Sequence, residues 1–516
     1  MSFQILHCPH HSLPRFAWAA EIRVEQKQVR LYHGDGVEKS PDGRALVEGA
    51  WAGNFPEFDF HLSTALSGTG MREAGGELHF CSSTDRAAPL FSVIKSGRIY
   101  FSNSIIYVLS LSETRYIPNY PYYHHDILAM IRKGLYCLDG KTPLMDGHQL
   151  HVHFSCISSV RPSGEIRHRP FPEGEIPSSF ESYRNILHTT VEKVFENGLD
   201  PARAQPLKSI ATISTGYDSS ATAAIAAAAG CTEAVTFFDS KSATPHADNG
   251  KNNAAALGMS CLEFDRWKFM ESPHAVEPEF CFMAGTCSAP FAAMEHELAD
   301  RIMVCGHYGG DVWTTAHLAL MDQLSTPWSR SCAGTSHGEF RLRVGYISMD
   351  PSVIASRHHV KLAEIFAADD MHAWSVDGKY NRPAARRLAE EAGIPKGQLG
   401  VKKYMTSHTG LKKKTLFSEA GHARYCAFFT KSVGASRRPA WIYWRIHFAV
   451  TYFLYYKLTS SRSKILKPTP LRRRFPYLLN AAPLRITWKY LFTFQWAFDE
   501  LKHRYQSPST QEDRVD

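Results

Sequence analysis

Apolar and polar positions follow two different patterns along the chain, and the change falls near residue 172. Before it, short apolar runs alternate with polar residues and are punctuated by Gly, Pro and Asp, as in strands joined by turns. Strands are predicted over Glu21 to Leu31, Leu78 to Ser82, Leu90 to Ile94, Arg98 to Phe101 and Leu150 to Phe154. A β-rich N-terminal unit follows from that pattern. Residues 161–179 hold four prolines and two glycines and read as a linker. Beyond it the period lengthens. A helix is predicted near Tyr183 to Asn197, then a strand around Ile210 to Ile213 and an Ala-rich helix over Ala221 to Ala229. A strand at Ala234 to Phe238, a helix at Asn252 to Leu257, and strands at Cys261 to Phe264 and Ile302 to Cys305 complete the series. Strands alternating with helices imply a parallel sheet with crossovers. From about Pro351 onward apolar residues recur at helical spacing, so a helical tail is expected. No internal repeat is visible.

Composition narrows the class. At about 150 residues per domain, 516 residues predict roughly three units, and 44% hydrophobic, 21% charged and 12% aromatic residues describe a folded chain. Charge is unevenly distributed. Residues 401–516 carry 22 basic and 6 acidic side chains, a net of +16, which leaves 36 basic and 44 acidic, a net of −8, in the first 400. Eleven cysteines without a CxxC pair argue against a disulfide framework or zinc module and for a reducing compartment. The opening MSFQILHCPHHSLPRF has no basic region followed by a long apolar run, so no signal peptide is expected. The most apolar stretch, residues 441–456, contains Arg445 and His447, which disfavours a membrane-spanning helix. The expected location is cytoplasmic.

The segment SIATISTGYDSSATAAIAAAAG, residues 209–230, carries the most chemistry. An apolar strand runs into Ser214-Thr215-Gly216-Tyr217-Asp218-Ser219-Ser220 and a helix follows at once. Backbone N–H groups and the positive end of the helix dipole converge at such a turn, and the hydroxyls of Ser214, Ser219 and Ser220 add donors for an anion. Asp218 would repel phosphate unless it held Mg²⁺ bridging to the phosphate oxygens. A serine-capped helix with Asp218 in the cap is the plainer alternative.

Ser-x-Gly-x-Asp-Ser-Ser after a strand resembles the pyrophosphate loop of the ATP pyrophosphatase class, and within it the asparagine synthetase and β-lactam synthetase group. Thr215 stands where the family has a first glycine. The resemblance implies ATP and Mg²⁺ as cofactors, with Ser214, Gly216, Asp218, Ser219 and Ser220 at the pyrophosphate and Asp218 also on the metal. Cys305-Gly306-His307-Tyr308-Gly309-Gly310-Asp311 resembles the family's second glycine-rich turn. That likeness places Gly309 and Gly310 at the nucleotide and gives Asp311 the other Mg²⁺ ligand. Tyr308 occupies the position where asparagine synthetases have Glu and β-lactam-forming relatives have Tyr, while His307 replaces a usual glycine. Gly338-Glu339-Phe340-Arg341-Leu342 is similar to the family's Gly-x-Glu-x-Arg segment, which implies Glu339 as partner of Tyr308; an amphipathic helix with an ion pair explains it equally. Residues 380–405 are similar to the family's run of helix, proline and lysine-bearing turn. Lys402 or Lys403 would then neutralise charge in the adenylate transition state; spacing does not choose between them. Asp248 resembles an acidic residue that opens the next helix, a role that N-capping also explains.

The N-terminal unit resembles the class II glutamine amidotransferase fold through Ser83-Thr84-Asp85-Arg86-Ala87-Ala88-Pro89-Leu90 and Tyr100-Phe101-Ser102-Asn103-Ser104. That fold uses an N-terminal cysteine nucleophile, whereas position 2 is Ser2 and the nearest cysteine is Cys8. A thiolate forms far more easily than an alkoxide near neutral pH, so glutaminase activity is not expected.

Three other signals carry less. Residues 134–142 approximate a P-loop with one residue too many, followed by Pro143 where a helix should begin. Ser67-Gly68-Thr69-Gly70 reads as a turn. Of His148, His151 and His153, only the last two share a strand face, and chance spacing among 26 histidines accounts for the group. The basic tail interleaves aromatics with Arg445, Lys457, Arg462, Lys464, Lys467 and Arg472 to Arg474. Packing on the synthetase core and peripheral attachment to an anionic membrane are its two readings; no nucleic-acid module is recognised.

The expected architecture is therefore α/β. A degenerate amidotransferase-like αββα unit (1–172) precedes a doubly wound parallel-sheet synthetase unit of the PP-loop type (181–410) and a basic, aromatic helical extension (411–516). The expected activity is ATP-dependent adenylation of a carboxylate, with AMP and pyrophosphate released, and joining to an amine, with small-molecule or peptide acid and amine substrates. A non-catalytic relative serving as a scaffold or membrane-surface partner is the alternative, favoured by Thr215 and His307.

Overall fold

The computed structural model describes residues 3–131, 138–283, 288–314, 334–376, 380–400, 404, 407, 417–432 and 492–506. Thirteen strands form the N-terminal unit: β1 (Gln4–Pro9), β2 (Trp18–Arg23), β3 (Gln28–His33), β4 (Glu38–Lys39), β5 (Ala45–Trp51), β6 (Leu66–Ala74), β7 (Glu77–Cys81), β8 (Leu90–Lys95), β9 (Arg98–Ser102), β10 (Asp139–Pro143), β11 (Gln149–His153), β12 (Cys156–Val160) and β13 (Ile166–Pro170). They make two sheets, ordered β1-β3-β2-β9-β8-β11-β10 and β13-β12-β7-β6-β5-β4. Period-2 alternation gives each sheet an apolar face, and the two faces meet. Trp18, Leu31 and Phe101 from the first pack with Leu46, Met71 and Phe80 from the second. Phe80 stacks on Phe101 with ring centres 4.1 Å apart. Helices α1 (Ile105–Leu111) and α2 (Tyr123–Ile131) join a second core on the far side of the first sheet.

Three expectations change here. The single strand over Glu21 to Leu31 is a hairpin, because the chain turns at Val24–Lys27 with Lys27 at φ 48°. The supposed linker 161–179 contains β13, which pairs antiparallel with β12. Ser67-Gly68-Thr69-Gly70 is not a turn but the interior of β6. Gly68, at φ +104°, lies so close to β5 that a Cβ would meet Glu48 O at 2.1 Å.

The second unit opens with α3 (Phe180–Gly198) and is built on five strands: β14 (Lys208–Thr212), β15 (Glu233–Phe238), β16 (Ser260–Asp265), β17 (Arg301–Val304) and β18 (Ile347–Met349). Every pairing is parallel, in the order β16-β15-β14-β17-β18. Apolar runs such as Ile302-Met303-Val304, fully buried, suit strands covered on both faces. Helices α4 (Tyr217–Ala228) and α5 (Lys251–Ala256) are crossovers, α4 favoured by its alanines. Beyond the sheet lie α6 (Gly309–Val312), α7 (Gly338–Val344), α8 (Pro383–Glu391), α9 (Glu419–Ser432) and α10 (Thr493–Leu501).

Chain order makes β14 the pivot. The chain moves from it to β15 and β16 on one side, then returns to place β17 and β18 on the other. The crevice outside the carboxyl ends of β14 and β17 is therefore the point where the winding reverses, the place where open α/β sheets bind ligands.

The segment 492–506 packs back on the N-terminal unit. Phe494 stacks on Tyr123 at 4.4 Å, and His124 Nε2 hydrogen-bonds Thr493 Oγ1 at 2.8 Å. The described parts of the tail are thus helical and docked, and residues 441–456 with the basic positions from Arg445 to Arg474 lie outside the described residues. Among the described residues, no helix is long and apolar enough to cross a membrane.

Candidate functional site

The turn after β14 is organised by its own hydroxyls. Ser214 Oγ accepts from Gly216 N at 3.0 Å and pairs with Ser219 Oγ at 2.8 Å. Ser220 Oγ donates to Ser214 O at 2.9 Å, and Asn253 of α5 donates to both Ser214 O and Ser220 Oγ. The N-cap of α4 is Gly216, in extended conformation at φ −69° and ψ 145°, so the N-cap residue itself supplies no side-chain cap. A glycine N-cap has no side chain to take up the first N–H groups of the helix, and an anion-binding helix start has that form.

Thr215, at the position where the resemblance calls for glycine, turns away from that start. Its hydroxyl donates to Ala247 O at 3.3 Å and Asp248 Oδ1 at 3.2 Å, and its carbonyl accepts from Gly400 N at 2.7 Å. Asp248 therefore does not cap the next helix as expected; α5 starts three residues later with Gly250 as N-cap.

The second glycine-rich turn packs directly on the first. A Cβ on Gly306 would lie 2.7 Å from Asp218 C and O and 2.8 Å from Ser219 N, and one on Gly309 would lie 2.9 Å from Asp218 Cβ. Only glycine permits that approach. It sets Asp218, at the start of α4, beside α6, which carries Gly309, Gly310 and Asp311. His307 points elsewhere: its Nδ1 is 3.0 Å from Cys305 Sγ, and its ring fills the space a Cβ on Gly334 would need.

Arg382, missed in the sequence reading, closes one side. Its Nη1 is 3.2 Å from Asp218 Oδ1 and donates to Gly309 O at 3.0 Å, bridging the two turns. Tyr380 stacks on Tyr217 at 4.7 Å, and Arg382 lies over the Tyr380 ring. The signal available was an Arg placed just before the Pro that begins α8.

Asp350, also missed, stands at the end of β18. Its Oδ2 accepts from Tyr308 N at 2.6 Å, and its Oδ1 accepts from Ser352 N and Oγ. Burial, with neighbouring Asp85 adding to it, pushes its carboxyl up to about 7. An apolar run ending in Asp-Pro was the trace it left in the sequence.

Glu339 lies on α7, but its carboxylate is not on Tyr308. Ser104 Oγ donates to one oxygen at 2.7 Å and the Tyr505 hydroxyl to the other. Complete burial pushes this carboxyl up to about 7. The expected Tyr308–Glu339 pair is thus replaced by a cluster built from three distant parts of the chain. Lys402 and Lys403 lie outside the described residues.

Both N-terminal segments singled out above, together with β5, prove to be docking elements. Asp85 Oδ2 accepts from Asp350 N at 3.2 Å, Ser104 caps α1 and reaches Glu339, and Glu48 forms a buried ion pair with Arg341. All three hold the strand–helix region that ends at Asp350. No protein-family model matches the chain, and no curated protein matches it.

Proposed function

We propose that this chain is an ATP-dependent, amide-forming ligase of the asparagine synthetase and β-lactam synthetase type, with a PP-loop synthetase unit behind a degenerate amidotransferase-like αββα unit. The observation that carries the reading is the meeting of two turns, Ser214–Ser220 and Tyr308–Asp311, at the reversal point of a parallel sheet. The glycine N-cap of α4 and the glycines of the second turn that pack against it fit a pyrophosphate group. Ser214, Gly216, Ser219 and Ser220 would hold that group with Gly309 and Gly310, while Asp218 and Asp311 would hold Mg²⁺. Bound ATP·Mg²⁺ would supply an α-phosphorus on which the substrate carboxylate displaces pyrophosphate to give the acyl adenylate; the amine would then displace AMP, losing a proton as the amide forms.

The chain's own groups have simpler tasks. Arg382 positions Asp218 against the second turn, and Asp350 fixes the Tyr308 backbone so that its phenol can orient the amine. Lys402 or Lys403 would offset developing negative charge. Glu339, engaged by Ser104 and Tyr505, is left out of the chemistry. The nitrogen would come from ammonia or an amine substrate.

ATP–pyrophosphate exchange with a panel of candidate acids tests this. Exchange should depend on acid and fall at least 100-fold in Asp218→Ala; equal exchange by that variant overturns the site. One observation favours the scaffold reading instead, namely the Arg382 guanidinium on the carboxylate assigned to Mg²⁺. Calorimetry separates the two, because a scaffold gives no heat with ATP·Mg²⁺.

A further inference from the structure

The chain passes from one sheet of the N-terminal unit to the other at Phe154–Ser155, with Ser155 at φ 47°. This crossing brings together side chains that no single strand carries. His153 ends β11 in the first sheet, Cys156 begins β12 in the second, and His168 lies on β13 opposite Ser158. One ligand atom from each of the three lies within 4.8 Å of the others. Asp139 of β10 pairs in register with His153.

The His153 side chain is only 2% exposed, yet its Nδ1 makes no hydrogen bond to the described residues; Asp139 Oδ1 is 3.7 Å away. Its Nε2 is paired with Ser92 Oγ at 2.8 Å. When Ser92 accepts from Nε2–H, the lone pair of Nδ1 faces the cluster. His168 repeats the arrangement, with Nδ1 on Ser158 Oγ at 2.9 Å and Nε2 left for a ligand. A hydrogen bond on the ring nitrogen that faces away from the metal is the usual support of a metal-ligating histidine, and the Ser92 and Ser158 hydroxyls can each accept one. Asp139 is in turn held by His151 Nδ1 at 3.2 Å. The Cys156 thiol donates to Leu138 O at 3.2 Å and would release that proton on metal binding.

We infer that His153, Cys156 and His168 form a binding site for a zinc-like divalent ion that staples the two sheets where the chain crosses between them, with Asp139 or water as the fourth ligand. Two imidazole nitrogens and one sulfur are the donor set of a borderline-soft ion, and hard cations are excluded by it. Ligand bonds of about 2.0 to 2.3 Å give a tetrahedral edge of roughly 3.5 Å, so the three atoms must close up by about 1 Å. His168 can supply that movement, being half-buried on the edge strand of its sheet.

The test uses the full chain, stripped with a chelator and titrated with Co²⁺ and Zn²⁺. One equivalent per chain is expected, with thiolate-to-cobalt charge-transfer absorption. Cys156→Ser should lose that absorption, and His168→Gln should weaken Zn²⁺ binding at least 10-fold. His168→Gln touches the least buried ligand, and circular dichroism reports that it has folded, so it decides the matter even if Cys156→Ser fails to fold. Absence of charge-transfer absorption in the wild-type chain, or an unchanged Zn²⁺ isotherm in His168→Gln, overturns the site.

Discussion

Replacing Arg341 by Met should be among the most damaging single changes in this protein. Arg341 Nη1 and Nη2 bond both oxygens of Glu48, at 2.6 and 3.0 Å, and the two side chains are 3% and 0% exposed. Thr69 Oγ1 and Asn103 Nδ2 also donate to Glu48 Oε1, at 2.6 and 3.2 Å. The substitution removes two charge-assisted hydrogen bonds at about 1.5 to 3 kcal/mol each. That range, roughly 3 to 6, agrees with the cost of about 3 to 5 kcal/mol for breaking a buried pair by deleting one partner. Most of it arises because the Glu48 charge is left stranded. The same reasoning requires that Glu48→Gln in the Arg341→Met background restore at least about 1 kcal/mol, since the neutral amide is far less costly to bury. Urea unfolding followed in parallel by tryptophan fluorescence and circular dichroism measures both, coincident curves being the condition for comparing free energies. A loss below about 1 kcal/mol in Arg341→Met, or no recovery in the double variant, would refute the stranded-charge argument.

Two further outcomes follow from the same geometry. Glu339 is held at about 7 in the folded chain against an ordinary 4.5, so the native state binds its proton more tightly than the unfolded state does. Its contribution is most favourable below about pH 4.5 and is lost as pH rises to about 7, a swing of roughly 3 kcal/mol. Stability measured against pH should show that decline in the wild type relative to Glu339→Gln, and a constant difference between the two would exclude it. Gly306→Ala places a methyl 2.7 Å from Asp218 backbone atoms, so it should cut ATP–pyrophosphate exchange at least 10-fold by parting the two turns; unchanged exchange would show that their contact is dispensable.

How much could be read in advance differs from element to element. The strand–turn–helix at residues 208–228 was legible because a buried apolar run, a cluster of small hydroxyl residues and an alanine-rich stretch are local signals that agree with one another. Gly306 and Gly309 were legible as a turn, but their purpose was not. A glycine reports that space is short, and only the fold says which backbone occupies it. The strand read over Glu21 to Leu31 failed for the converse reason. Its turn is made by Val24–Lys27 without glycine, proline or an Asn-Gly pair, so nothing local marks the reversal.

Local pattern therefore carried the two kinds of architecture, the alternation of strand and helix after residue 180, and the strand–turn–helix at residues 208–228. Those properties depend on near neighbours in the chain, whose spacing is written in the sequence. Tertiary structure alone decided which distant groups meet. Arg382 crosses to Asp218, 164 positions away; Asp350 takes the Tyr308 backbone; Ser104 and Tyr505 claim Glu339; and Cys156 joins His153 and His168 across two sheets. A buried charge or an unpaired ring nitrogen needs a partner, but any of many side chains could serve. Sheet order and the packing of the final helix select which one it is, and no period or spacing along the chain encodes that selection.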